Sequence, residues 1–301
     1  MTTNNYGIQN TGPGILRVVE SAVGQSAVIH NYRPFAESAT DLSRSGDGSI
    51  GILTILSEEM RAVLSVLRTG SGYRQQSNAD GTVFHEAWLG SVRLVATQTL
   101  DRGQRSATLA CQRLLDHCSP RLLVMVGIAG GIHDDVALGD VVVAEQLIYY
   151  DARKERSDGT RRRGQAHPIS DRTARALNRF FTAAGEPARL PTADGGTFAV
   201  MRGPVGSGEA VVADHAHEIR SFLSAFNDKT LAVETEGGGL AQAFHEVASS
   251  RPELAGWLSV RGISDHADKA KDDSAHHLAA QHAAETLLMM VPYLVEIEEA
   301  A

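Results

Sequence analysis

Residues Leu123–Asp140, LVMVGIAGGIHDDVALGD, decide how the chain is read. The apolar run Leu122–Val126 ends in Gly127-Ile128-Ala129-Gly130-Gly131. A polar loop then leads to Gly139-Asp140 and a second apolar run, Val141–Ala144. Continuous apolar runs of this length, bounded by glycine, mark strands buried on both faces. Three glycines at a strand end let backbone approach a ligand closely, because no Cβ intervenes. They suit a tight turn between core strands equally well. In open α/β sheets ligands collect at the carboxyl ends of strands. The spacing is not G-x-G-x-x-G, so a dinucleotide site is not indicated.

Three other runs change the weighting. Leu231–Gly239, LAVETEGGG, releases Glu234 and Glu236 at its end. Trp257–Asp268, WLSVRGISDHAD, releases Asp265. Ile50–Glu59, IGILTILSEE, releases Glu58 and Glu59. A core alone has no use for carboxylates at three strand ends. Paired carboxyl groups in one cleft supply general acid and base.

From Ser49 onward strand and helix patterns alternate. Strands are expected at Ile50–Leu56, Thr82–Ala87, Val92–Thr99, Leu122–Val126, Asp140–Tyr150, Phe198–Arg202, Thr230–Glu234 and Leu258–Ile263. Helices are expected from Ser57, over Gly103–His117 before Ser119-Pro120, and over Asp171–Ala184. Three more follow at His217–Phe226, Gly239–Ser249 and Ser274–Ile297, with Ser274 as a cap. Gly203–Asp214, GPVGSGEAVVAD, reads as a glycine-rich loop. This alternation predicts a single three-layer α/β/α domain over 49–301, with a mixed, largely parallel central sheet. Residues 1–48 carry short strand-like runs, Ile15–Val19 and Ser26–His30, before a polar linker. They are expected to form a β-rich extension that docks a protein partner or supports oligomerisation.

The chain has 301 residues and a net charge of -8, which argues against sequence-independent nucleic-acid binding. Its two cysteines, Cys111 and Cys118, lie in a helical segment, so no disulfide framework or zinc site is indicated. His276, His277 and His282 share the last helix without an i, i+4 pair, so no metal is expected there. No apolar run is long enough to cross a bilayer. The first residues, Met-Thr-Thr-Asn-Asn, lack the order of a signal peptide. A cytoplasmic protein without cofactor or membrane partner is expected.

IGILTILSEEM, LLDHCSPRLLVMVGIAGG, LGDVVVAEQLIYYD, AVETEGGGLA and VRGISDHAD together resemble the nucleoside phosphorylase/nucleosidase superfamily. The closest resemblance is to 5′-methylthioadenosine/S-adenosylhomocysteine nucleosidases, across roughly 49–298. The basic stretch Lys154–Arg163, the GPVGSGEAVVAD segment and the RGISDHADKAKDD tail are similar to the version of this domain found as an effector in prokaryotic and fungal defence proteins. The resemblance implies cleavage of a purine N-ribosidic bond through a cationic sugar transition state. Asp265 would protonate the purine at N7, steadied by Ser264. Glu236 would hold the ribose hydroxyls. Glu59 would activate water, helped by Arg261. The backbone of Gly127, Ile128, Ala129 and Gly130 would lie beside purine and nucleophile, with Val211 and Val212 as one wall of the base pocket.

The sequence departs from that pattern at Val211, where an aromatic usually stacks on the base. It departs again at Thr235, where a methionine packs on ribose, and at Ile128, where a serine lies near the water. Phosphorylases of the family carry an arginine and a serine where this chain has Met125 and Ile128. An apolar lining holds a dianion poorly, so water is the expected nucleophile. Arg161, Arg162 and Arg163 close the basic stretch Lys154–Arg163. If they fold over the site, the substrate is an adenine nucleotide such as AMP or ATP; if they face solvent, a nucleoside or thionucleoside. Family members form dimers or larger rings in which a neighbour completes the pocket, so a homo-oligomer is expected.

Overall fold

The structure is a computed structural model that describes residues 48–192, 195–212, 218–267 and 275–295. The proposed N-terminal extension therefore lies almost wholly outside the described residues, as do His217 and Ser274.

The apolar runs become the buried centre of the sheet. β1 (Ser49–Thr54) is buried at every position and leads into α1 (Ser57–Leu67). The edge beyond it is built from β2 (Ser71–Ser77), β3 (Val83–Leu89) and β4 (Val92–Gln98). α2 (Gln104–Cys118) leads into β5 (Leu122–Gly131), and β6 (Val141–Tyr149) follows. β1 runs parallel to both β4 and β5, as uninterrupted apolar strands joined through helices require.

Beyond β6 the chain departs from several expectations. The basic stretch is no loop: β7 (Arg153–Arg156) and β8 (Gly159–Arg162) pair antiparallel as a hairpin. β9 (Gln165–Pro168) pairs with β6, and α3 (Asp171–Ala184) is capped by Ser170, whose Oγ accepts the Thr173 N–H at 3.2 Å. β10 (Ala188–Pro191) and β11 (Thr197–Ser207) pair antiparallel. β11 runs through the first half of the expected glycine-rich loop. Its glycines answer to packing, since a Cβ on Gly203 would lie 2.7 Å from the Leu231 side chain and one on Gly206 2.5 Å from Leu223. α4 (Glu218–Phe226), β12 (Ala232–Glu234), α5 (Gly237–Val247), β13 (Gly256–Asp265) and α6 (His276–Val295) complete the described chain.

The sheet order is β10-β11-β6-β13-β5-β1-β4-β3-β2. It is more mixed than expected, because β13 runs parallel to β5 but antiparallel to β6. Short β12 pairs parallel with β11 and antiparallel with the end of β5. The pairings β5–β13–β6–β11–β12–β5 therefore close a five-strand ring. α1 and α3 pack with α6, while α2 packs with α5, so helices cover the sheet in two groups. α4 seals a small satellite core of Ile148, Tyr150, Ile219, Leu223 and Val233.

α6 lies on β13 so closely that a Cβ on Gly262 would fall 1.9 Å from the Ala279 carbonyl oxygen. Gly262→Ala forces helix and strand apart. It is expected to cost about 1–3 kcal/mol, read as a lower urea midpoint with an unchanged slope. An unmoved midpoint would contradict this packing.

Candidate active site

A cavity of about 140 Å³ opens where the ends of β5, β12 and β13 meet. Its lining includes Glu59, Ile128, Ala129, Gly130, Val211, Val212, Thr235, Glu236, Ser264 and Asp265. Acids from positions 59, 236 and 265 thus share one cavity.

Glu59 sits in the first turn of α1 and is buried. Its Oε2 accepts the N–H groups of Ile55 (2.7 Å) and Leu56 (2.8 Å), so it closes the helix start as acids at this position do. Its Oε1 accepts the Ile128 N–H at 2.9 Å, which fastens α1 to the glycine segment of β5. Burial raises the Glu59 pKa above its ordinary value, although Arg261 and the three N–H groups pull it back.

Glu236 follows β12 and stands at the N-cap of α5. Its Oε1 accepts the Gly103 N–H at 3.1 Å and the Thr235 hydroxyl at 2.5 Å. Burial first and the Glu234 charge second raise its pKa, against Arg261, Thr235 and Gly103. Asp265 ends β13 opposite Gly130. Its Oδ2 accepts the Ser264 hydroxyl at 3.1 Å and its Oδ1 the Ala267 N–H at 2.7 Å. Ser264 therefore touches the carboxyl of Asp265, whose Oδ1 would lie 2.9 Å from a Cβ on Gly130.

Arg261, on the same strand, has no exposed surface. One guanidinium nitrogen, Nη2, donates to Glu234 Oε2 and to Met125 Sδ (2.7 Å) and lies 3.8 Å from Glu236 Oε2. Burial opposes the charge, but Glu234, Glu236 and Glu59 outweigh it and hold the pKa above the ordinary arginine value. Glu234 Oε2 also accepts the N–H groups of Glu236 (2.9 Å) and Gly237 (2.7 Å). Gly127 makes this possible. A Cβ there would lie 2.4 Å from Arg261 Nη1 and 2.5 Å from Glu59 Oε1.

Val212 is buried, whereas Val211 is 66 % exposed at the cavity's edge. The three arginines named from the sequence do not line the cavity. Arg161 is exposed and pairs with Asp158. Arg162 donates to the Tyr150 carbonyl and to Asp151 and Glu218. Arg163 is exposed in the segment after β8. The hairpin geometry turns Arg161 and Arg162 onto neighbouring carboxylates.

Sequence reasoning missed four lining residues or supports. Arg102 and His276 line the cavity, as does Tyr150, whose hydroxyl donates to the Ala210 carbonyl at 2.6 Å. Gln104 lies behind it: its amide donates to Ser207 Oγ and to the Thr235 carbonyl, both at 2.9 Å. A lone arginine between Asp101 and Gly103 and a glutamine opening a helix carry no sequence signal of their own. Among the described residues no group of three His, Cys, Asp or Glu is placed to hold a metal ion, and no helix is long and apolar enough to cross a membrane.

The sequence model of the phosphorylase superfamily matches residues 49–296, and the chain belongs to that superfamily. It is 26% identical over 257 residues to the ATP nucleosidase Cap17 of Escherichia coli strain KTE188, covering 78% of this chain and 49% of that protein. The chain thus spans about half the length of the curated relatives it matches. Its fold is shared with futalosine hydrolase of Helicobacter pylori, at 20% identity and a TM-score of 0.65, over 81% of this chain and 97% of that one. It is also shared with 5′-methylthioadenosine/S-adenosylhomocysteine nucleosidase from Colwellia psychrerythraea in complex with adenine. That pair has 20% identity and a TM-score of 0.65, over 82% and 96% of the two chains.

A carboxyl whose pKa is raised by folding contributes stability that is complete below its unfolded value and is lost as pH rises through the folded value. Glu59→Gln cannot ionise. Its stability relative to the parent is therefore expected to increase as pH rises from about 4 to 8. A difference that stays flat or falls would contradict the buried, proton-retaining Glu59.

Proposed function

We propose that the domain hydrolyses the N-ribosidic bond of an adenine nucleoside or nucleotide, releasing free adenine and the sugar. The observation that carries this reading is the meeting of Glu59, Glu236 and Asp265 in one cavity. Asp265, held by Ser264 and Ala267, is the acid for purine N7. Glu236 holds the ribose hydroxyls and faces the developing cation. Glu59 is the base for water, and the Ile128 N–H fixes its carboxylate against β5.

Arg261 keeps the acids in place but is committed to them, so it is not a seat for inorganic phosphate. Met125 is buried against that guanidinium and Ile128 is apolar, which leaves the nucleophile's surroundings acidic and greasy. A dianion there meets desolvation and repulsion together. Hydrolysis is therefore favoured over phosphorolysis.

A second reading, an adenine-nucleotide nucleosidase acting as a defence effector, is favoured by the relatives named ATP nucleosidases. A cytoplasmic homo-oligomer accords with both readings; Leu100 and Leu109, exposed beside and on α2, suit a contact between like chains.

Adenine release is measured from methylthioadenosine, adenosine, AMP and ATP, with and without phosphate. Release independent of phosphate is expected, and release that requires phosphate would overturn hydrolysis. Asp265→Asn and Glu59→Gln should each lower kcat/KM by about 10²–10⁴-fold. The acid limb of the kcat/KM profile should lie above 4.5, the ordinary glutamate value, because Glu59 must ionise to act. Normal turnover by Glu59→Gln would remove it as the base.

A further inference from the structure

We infer that Arg102 reads the 5′ end of the substrate and selects one that carries a phosphoryl group there. The inference rests on the adenine nucleosidase reading above and assigns its specificity to one side chain.

Arg102 lines the cavity, and among the described residues nothing pairs with its guanidinium. The other arginines discussed for the site do not line the cavity, and all but the exposed Arg163 are occupied. Arg261 is held by glutamates. In the basic hairpin Arg153 pairs with Asp151 and Glu155, Arg156 and Arg161 with Asp158, and Arg162 with Asp151 and Glu218. His276, the other basic group of the lining, has Nδ1 3.2 Å from Glu58 Oε1.

Position gives the ligand's end. The N–H of Gly103, next in the chain, is held by Glu236 Oε1, which places the Arg102 loop beside the carboxylate assigned to the ribose hydroxyls. Asp265 belongs to the base and Glu59 to the anomeric carbon. Glu236 takes the 2′ and 3′ oxygens. The one ribose substituent left for a group on the Glu236 side is at C5′. A thioether or bare hydroxyl there gains little from a guanidinium, whereas a phosphoryl group takes charge-assisted, two-pronged hydrogen bonds from it. The surroundings sharpen the requirement. Glu209 Oε2 lies 3.2 Å from where a Cβ on Gly103 would sit, so with Glu236 it flanks the loop with negative charge. An anionic substrate would be repelled there without a cation.

The test measures kcat/KM for adenosine, methylthioadenosine, AMP, ADP and ATP with the full chain, Arg102→Ala, Arg102→Lys and the double variant Arg161→Ala/Arg163→Ala. The parent should prefer nucleotides. Arg102→Ala should reduce the nucleotide-to-adenosine ratio about 10- to 100-fold, the size expected for one lost charge-assisted contact, and Arg102→Lys should restore part of it. A parent that prefers adenosine or methylthioadenosine would overturn the inference. So would a parallel fall for all substrates in Arg102→Ala, or loss of the preference in the hairpin variant instead. Should no adenine compound be cleaved, the nucleosidase reading fails, and calorimetric titration still decides the inference. AMP binding more tightly than adenosine, with the difference lost in Arg102→Ala, supports it; equal affinities refute it.

Discussion

A guanidinium sealed from water organises this structure. Arg261 lies on the central strand β13 with carboxylates from three parts of the chain turned toward it: Glu59 from α1, Glu234 from β12 and Glu236 from the turn after it. An unpaired charge at that depth would cost several kcal/mol, so the acids and the arginine must be buried together or not at all. The requirement reaches into the backbone. Gly127 must lack a Cβ for Glu59 and Arg261 to lie side by side, and β12 must run antiparallel to the end of β5 to bring Glu234 and Glu236 across. Around this one cation burial raises the pKa values of Glu59 and Glu236. The fold thereby holds carboxyl groups whose protonation is open to change, which acid–base chemistry needs.

What the sequence discloses follows from the same physics. β1, β5, β6 and β13 are legible because each carries the apolar run that a strand buried on both faces needs. Five acids stood out because they follow or end such runs, and the family resemblance singled out Glu59, Glu236 and Asp265 among them. β2 could not be seen: SGYRQQS is an exposed edge strand with no apolar face, and its pairing with β3 is a property of β3's free edge. The hairpin of β7 and β8 was hidden for the same reason, since every side chain but one in it is exposed. Gly203 and Gly206 look like loop residues in one dimension, and only the leucines packed against them reveal a strand.

The site was legible in its acids and obscure in its cations. A carboxylate at the end of a buried run is costly to keep unless it acts there, whereas an arginine on a polar surface costs almost nothing and can stand anywhere. Arg161, Arg162 and Arg163 drew notice by their number, and number is what a solvated hairpin supplies. The charges of Arg161 and Arg162 are answered locally by Asp151, Asp158 and Glu218. Arg102 stands outside any basic run in the sequence, and what singles it out is spatial: it lines the cavity, and the loop that carries it is pinned to Glu236 through Gly103.

Refusing phosphate at one end of the cavity and welcoming a phosphoryl group at the other are compatible demands. The face assigned to the nucleophile is bounded by Glu59 and Ile128, while Arg261, paired with Glu234, has no surface in the cavity, so an inorganic dianion entering there would lose its hydration beside a carboxylate. The Arg102 loop is tied to Glu236 through the Gly103 N–H, and its cation is uncommitted among the described residues. In the proposed complex a phosphoryl group tethered to C5′ would reach Arg102 and be kept from Glu59 by the length of the ribose. In the proposed reaction the sugar itself separates the two charges: the acids act on its anomeric carbon, while the cation grips the far end and holds the ring against them.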